Sequence, residues 1–410
     1  MDLSRRRFEV LSPAGDVERF MAAISYGADA VYLAGQEFGM RTSPDNFNNE
    51  QLEWACSYAH SLGKRVYITC NTVPRNDEIQ RLPDFLSFIN KSGVDGVIVS
   101  DIGVMAMAKR YAPDVEIHIS TQAGVCNYAT ARELYNMGAK RVVLARELSL
   151  DEIKTIRENV PDDLEIECFV HGAMCVSFSG RCLLSNIMTA RDANRGDCAQ
   201  PCRWQYVLSE KTRENSYFPI YETEKGTYIL NSRDMCMIDH IDKLYDAGIN
   251  SLKIEGRAKS AYYTAVITNA YHMAVDSFLS YKGDNFTLPE WIAGEVYKVS
   301  HREYSTGFYF GGEPGQVYNS GGYIREYDVV AVVKQSADGW LYLSQRNKFC
   351  TGDELDVLVP GEKPFVIKAH QLYSMDGEPI DSAPHAMMDL KIRCEQNIAQ
   401  GAYLRKKISK

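Results

Sequence analysis

Eleven cysteines are many for a chain of 410 residues, and their placement says more than their number. Seven of them (Cys56, Cys70, Cys126, Cys168, Cys236, Cys350 and Cys394) are scattered. The other four, Cys175, Cys182, Cys198 and Cys202, fall within 28 residues with the spacing C-x6-C-x15-C-x3-C. Four thiolates complete the ligand set of a 4Fe-4S cluster or a tetrahedral zinc. Zinc-finger spacings carry a short knuckle at both ends of the set, which is absent here, so iron–sulfur stands ahead of zinc. Buried apolar cysteines or a redox disulfide are the plainer alternative. In a reducing compartment, however, such crowding points to metal or redox chemistry first. Cys236, in Asn231-Ser-Arg-Asp-Met-Cys236, competes for the fourth ligand position, and spacing leaves that position open.

Such a set needs elements to carry it. The first two thirds of the chain repeat a short apolar strand, a polar or glycine-containing turn and a helix-like segment. The expected strands are Phe8–Ser12, Ala30–Ala34, Arg65–Asn71, Gly96–Asp101, Glu116–Gln122, Arg141–Arg146, Glu165–His171 and Ser251–Gly256. Continuous apolar stretches such as Val97-Ile98-Val99 suit strands covered on both faces. Glycines in Tyr26-Gly-Ala-Asp-Ala30, Met137-Gly-Ala-Lys-Arg141 and Asp246-Ala-Gly-Ile-Asn250 suit helix C-caps feeding the next strand. Eight such units predict an α/β fold, a (β/α)8 TIM-like barrel over residues 1–285. About 80 residues separate strands seven and eight, and one helix near Met237–Ala247 fills only part of the gap. An insertion over about 172–227 therefore lies at the C-terminal mouth, where barrel enzymes keep their active sites, and it holds all four clustered cysteines. Residues 286–410 change to short alternating segments, including Phe308–Phe310, Val329–Lys334, Trp340–Ser344, Glu354–Val359 and Phe365–Ala369. These read as a second domain, a small β-barrel. The chain carries 45 basic and 54 acidic side chains, a net charge of −9, which excludes a protein that coats nucleic acid with its whole surface. Without a signal-like start or an apolar run long enough to span a bilayer, a soluble, cytoplasmic protein is expected, with no membrane association.

The segment Phe169-Val-His-Gly-Ala-Met-Cys-Val-Ser-Phe-Ser-Gly-Arg-Cys-Leu-Leu-Ser185 resembles the signature of the collagenase-like peptidase family U thirty-two. So do Arg191-Asp-Ala-Asn-Arg-Gly-Asp-Cys198 with Cys202-Arg-Trp204, Asn231-Ser-Arg-Asp234 and Ser251-Leu-Lys-Ile-Glu-Gly-Arg257. The likeness runs from Leu11-Ser-Pro-Ala-Gly15 into the C-terminal domain and is similar to the family's tRNA hydroxylation branch. It implies a 4Fe-4S cluster on Cys175, Cys182, Cys198 and Cys202. It also implies formation of 5-hydroxyuridine at the wobble position of tRNA, with prephenate as the co-substrate. Other branches hydroxylate ribosomal RNA or assist ubiquinone hydroxylation, so the family name alone does not fix the substrate; a partner subunit of the same family is a further expected partner.

The strand ends supply the remaining candidates. Lys253, Glu255 and Arg257 alternate along strand eight and point inward or to the mouth. Arg146 closes strand six, Gln122 strand five and His171 strand seven. His171, Glu255 and Arg257 are the catalytic candidates. Arg146, Arg257, Lys253, Gln122 and Arg203 are the substrate-binding ones, since a dicarboxylate such as prephenate wants the planar fork of arginine. Inward charges that merely pair with one another are the alternative. For the anticodon region of a tRNA, Arg181, Arg191, Arg195 and Arg203 lie beside Trp204 and Tyr206, a mixture suited to phosphates and unstacked bases. A solvated loop with ion pairs to Asp192 and Asp197 is the competing reading. The basic tail Arg405-Lys-Lys-Ile-Ser-Lys410 offers further phosphate contacts. Peptide hydrolysis is the runner-up. Neither His-Glu-x-x-His nor Gly-x-Ser-x-Gly occurs in the sequence, leaving Cys175 with His171 as the nearest imitation of a cysteine–histidine pair. A third reading is a module that delivers RNA or a cluster without its own turnover.

Overall fold

The computed structural model describes residues 8–40, 45–204, 232–283, 285–312, 315 and 322–408, with backbone alone at 222–223 and 226–227. Eight parallel strands, β1 (Glu9–Pro13), β2 (Ala30–Leu33), β3 (Arg65–Cys70), β4 (Gly96–Val99), β5 (Glu116–Ile119), β6 (Arg141–Val143), β7 (Glu165–Ala173) and β8 (Ser251–Ile254), follow one another around a ring. The ring closes because β8 pairs with both β1, at Glu9↔Ser251, and β7, at Ser251↔Glu167. Each strand is followed by a helix that covers it, starting with Val17–Ser25, whose buried Phe20, Ala23 and Ile24 form the expected stripe. The helices start on side-chain caps: Asn48 and Ser149 each close a capping box. They end on glycines in left-handed backbone, Gly27 at φ 95° and Gly138 at φ 105°, as the turn sequences predicted. The α/β barrel expected from the strand–helix pattern is the observed architecture.

Strand β7 runs past its expected end at His171. Gly172, at φ 110°, lies so close to β8 that an added Cβ would sit 2.5 Å from the Glu255 carbonyl oxygen. The extension pairs antiparallel with Asp234–Cys236, which pairs in parallel with Tyr304–Ser305. This last strand belongs to the stretch expected to open the second domain at residue 286. That stretch stays with the barrel instead. Leu288, Ile292, Val296, Val299 and Tyr309 are buried in the barrel's core cluster, and the Tyr309 hydroxyl donates to the Phe169 carbonyl of β7. Apolar spacing that short is hard to tell from a linker in the sequence.

The second unit, expected as a small β-barrel, is an eight-stranded antiparallel sheet with its own core of Val330, Leu341, Leu343, Leu355, Leu372, Leu390 and Leu404. Asp338-Gly339 forms its tightest hairpin, with both residues at positive φ and Ala337 paired to Trp340. Of the expected strands only Phe308–Phe310 fails, being a turn on the barrel side. Helix Ala261–Ser280, buried on nearly every face, lies between the two units; its Asn269 side chain accepts the Gly361 N–H. Two cations of the basic tail are engaged within the fold. Arg405 is fully buried at this seam, its Nη2 2.6 Å from Glu295 and its Nε 3.1 Å from Asp356, and Lys406 pairs with Asp353. Among the described residues no helix is long and apolar enough to cross a membrane.

Candidate functional site at the barrel mouth

The C-terminal strand ends and the cysteine-bearing insertion enclose one cavity of about 550 Å³. Strand ends contribute Tyr32, Thr69, Asn71, Ser120, Gln122, Arg146, Phe169, Lys253, Glu255 and Arg257. The insertion contributes Cys175, Cys182, Cys198 and Cys202. All four thiols are free and partly exposed.

Local backbone geometry places the thiols. Three of them accept an N–H from the residue two positions on: Ser177 to Cys175 at 3.4 Å, Leu184 to Cys182 at 3.3 Å and Gln200 to Cys198 at 3.4 Å. Ser179, Ala190 and Gln200 hold left-handed backbone without being glycine, a cost that persists where the surroundings enforce it. Asn194 clasps Cys182, accepting its N–H at 3.1 Å and donating to its carbonyl at 3.0 Å. Arg195 straps the insertion to the barrel through two 2.7 Å bonds to Glu78, and Arg203 holds the Ser232 and Met174 carbonyls. The Cys202 thiol is raised above its usual range, first by burial; the nearby Arg203 charge opposes this, and the charges of Cys175, Cys198 and Cys182 add to it. Among the described residues no three His, Cys, Asp or Glu side chains gather closely enough to hold a single metal ion.

Cys236 does not join them. It sits in the strand beside β7, opposite His171, and burial pushes its thiol up to about 12. Of the two contenders for the fourth position, Cys202 is the one in the cavity.

The strand-end candidates divide. Arg257 is 2% exposed and spans the cavity wall, with Nη1 on Thr69 Oγ1 at 3.0 Å and Nη2 on the Met40 carbonyl at 2.5 Å. Arg146 stacks its guanidinium 3.7 Å over the Phe169 ring, donates to the Ala173 carbonyl and lies 3.4 Å from Glu255. Gln122, buried just beyond β5, faces Ser120 at 3.5 Å, and Asn71 donates to Ser120 at 3.3 Å. Lys253 answers to the alternative of internal pairing. Its Nζ is 2.6 Å from Glu167, in a buried charged layer beneath the cavity with Glu9 and Arg141. His171 is absent from the cavity lining. Its ring packs among Tyr263, Tyr271 and Tyr304, with Nε2 3.3 Å from the Tyr304 hydroxyl, and burial drives its pKa down to about 3. Alternation along β7 turns His171 outward, so it is a neutral packed imidazole and does not pair with Cys175.

The insertion's arginines are mostly spent within the fold. Arg191 pairs with Asp197 and Arg195 with Glu78. Trp204 and Arg181 are exposed, and Tyr206 lies outside the described residues. Three lining residues escaped the sequence reading: Lys259, Arg302 and Tyr323. Arg302 lies in the stretch read as part of the C-terminal β-domain. Only the fold brings it to Asp234, the buried acid that accepts its backbone N–H at 3.1 Å.

Seven cations (Arg146, Arg191, Arg203, Lys253, Arg257, Lys259 and Arg302) line the cavity with one carboxylate, Glu255, though Arg191, Lys253 and Arg302 also pair with Asp197, Glu167 and Asp234 outside the lining. The balance that is left favours anions. Residues 15–319 match the model of peptidase family U32, and residues 325–405 match that family's C-terminal domain. The chain belongs to peptidase family U32. Among this U32 chain's relatives, tRNA hydroxylation protein P1 of Bacillus subtilis is 37% identical, covering 97% of this chain and 94% of its own length. A 23S rRNA 5-hydroxycytidine synthase of Escherichia coli is 35% identical over 88% of this chain and 54% of its own. A collagenase of Porphyromonas gingivalis is 34% identical over 77% of each.

Proposed function

We propose that this U32 protein is an RNA-modifying enzyme. It forms 5-hydroxyuridine at the wobble position of tRNA, with a 4Fe-4S cluster on Cys175, Cys182, Cys198 and Cys202 and with prephenate as a dicarboxylate co-substrate. One observation carries the reading: four thiols and a cation-rich strand-end wall open into the same cavity, in a chain similar along nearly its whole length to a tRNA hydroxylation protein. The donor set fits the group. Four free thiols lining one cavity are the donor set that would hold such a cluster. When bound, the cluster supplies electron transfer.

The chain's own residues bind and orient. A base inside a stacked anticodon is out of reach, so the uridine is splayed into the mouth. Arg257, fixed by Thr69 and Met40, offers a planar fork to a carboxylate, and Arg146 on Phe169 offers a second cation. Asn71, Ser120 and Gln122 present amide and hydroxyl groups at neighbouring strand ends, able to meet the polar edge of a pyrimidine. Burying a dicarboxylate without paired cations would cost several kcal/mol per charge.

Peptide hydrolysis, raised by the collagenase relative's name, has less support. Among the described residues no histidine lines the cavity, His171 is turned away from Cys175, and the Ser179 hydroxyl is engaged by Glu147 at 3.1 Å.

Calorimetric titration of prephenate into anaerobically purified protein tests the anion site. Arg257→Lys keeps the charge but loses the fork, and is expected to weaken binding by about 1–3 kcal/mol while iron content stays constant. Unchanged affinity in that variant would remove Arg257 from the site.

A further inference from the structure

We propose that Arg302 and Lys259, gathered on the ring of Tyr323, form a phosphate subsite at the cavity's edge. It takes an RNA phosphodiester flanking the reacting uridine and is distinct from the carboxylate site at Arg257 and Arg146. The inference rests on the RNA reading above.

Three elements that are remote in sequence build this group. Lys259 follows β8, Arg302 precedes the strand Tyr304–Ser305, and Tyr323 lies just ahead of the C-terminal sheet. The Lys259 Nζ lies 4.2 Å and the Arg302 guanidinium carbon 4.4 Å from the centre of the Tyr323 ring. The two charges therefore share one ring at the cavity's edge, each placed to meet an oxygen of an RNA backbone passing there. Two like charges on one ring repel each other, and the ring's quadrupole offsets only part of that. A bound anion offsets the rest.

Neither cation is fully neutralised by the fold. Lys259 has no ion pair among the described residues, and its position is set through its backbone carbonyl, which accepts from Arg19 Nε. Arg302 is 4% exposed; among the described residues its one side-chain bond is from Nη1 to Asp234 at a long 3.4 Å, and its buried Nε has no hydrogen-bond partner there. A guanidinium has five N–H groups, so this one keeps most of its donor capacity. The exposure gradient suits a backbone contact: Tyr323 is 45% exposed, Lys259 half-buried and Arg302 buried. The strand that supplies the base can enter there with its phosphate at the rim. Arg257 and Arg146 lie on the barrel wall, attached to Thr69 and Phe169, which leaves the deeper space to the small carboxylate.

The test is binding of a fluorescent anticodon stem-loop RNA to the cluster-bearing protein across a salt series, beside calorimetric titration of prephenate. Lys259→Gln, a partly exposed position that should not disturb folding, is expected to weaken RNA binding about tenfold. It should also flatten the plot of log affinity against log salt by about 0.7–0.9, one phosphate contact, with prephenate binding intact. Arg302→Lys keeps a cation beside Asp234 and is expected to retain the slope. Wild-type slope in Lys259→Gln, or loss of prephenate affinity in place of RNA affinity, would overturn the subsite. Wild-type protein that does not bind the stem-loop at all would instead overturn the RNA reading on which the subsite depends.

Discussion

Replacing Arg141 with leucine is expected to lower the free energy of unfolding by about 3–5 kcal/mol, the usual consequence of removing one partner from a buried ion cluster. Arg141 is 1% exposed on β6. It holds Glu9 at 2.6 Å, Glu167 at 2.9 Å and Glu165 at 2.6 Å beneath the cavity floor. Burial alone would raise the Glu9 pKa, but the Arg141 charge and hydrogen bond overcome it and bring the value down to about 2. Without Arg141, Glu9 keeps Arg65 at 2.7 Å and Glu167 keeps Lys253 at 2.6 Å, each short of the charge that offsets its burial. The under-compensated carboxylates then take up protons more readily, so the deficit relative to wild type is expected to shrink as pH falls from 7 toward 5. Urea unfolding followed by circular dichroism at those pH values measures both effects. An unchanged midpoint would show that the layer contributes no net stability.

The second large effect concerns the thiols. Protein purified without oxygen is expected to carry about four irons and four sulfides per chain. Cys182→Ala, Cys198→Ala or Cys202→Ala should lose the brown absorbance and the iron, since each lines the cavity. Cys236→Ala should keep both, because that thiol lies in the strand beside β7 and outside the cavity. Iron and sulfide assays with the visible spectrum decide the matter. Stoichiometric zinc in anaerobic wild-type protein, or bleaching by Cys236→Ala with retention in Cys202→Ala, would contradict the assignment.

What the sequence made legible follows from where local rules act. Strands and helix caps of the barrel could be read because apolar runs and glycine turns are short-range signals, as at Val97-Ile98-Val99 and Gly138. The four clustered cysteines could be read because their spacing is itself local. Side-chain direction at the strand ends could not. Lys253 and Arg257 share one alternating stretch, yet Lys253 turns down to Glu167 while Arg257 crosses to Thr69. His171 looked like a mouth residue until its partner strand Asp234–Cys236 showed it facing the tyrosines. Arg405 looked like a basic tail because Glu295 and Asp356, which bury it, are 110 and 49 residues away. Arg302 was invisible for the same reason: its cavity neighbours Lys259 and Tyr323 meet it only in the folded chain.

The central claim, hydroxylation of tRNA uridine, is tested most directly by mass spectrometry of nucleosides digested from the tRNA of cells lacking this protein. Loss of 5-hydroxyuridine is the expected result, with recovery on return of the wild-type gene and none on return of the Cys198→Ala form. Unchanged tRNA nucleosides, together with cleavage of gelatin by the purified, metal-free protein, would contradict the account and establish the peptidase reading in its place.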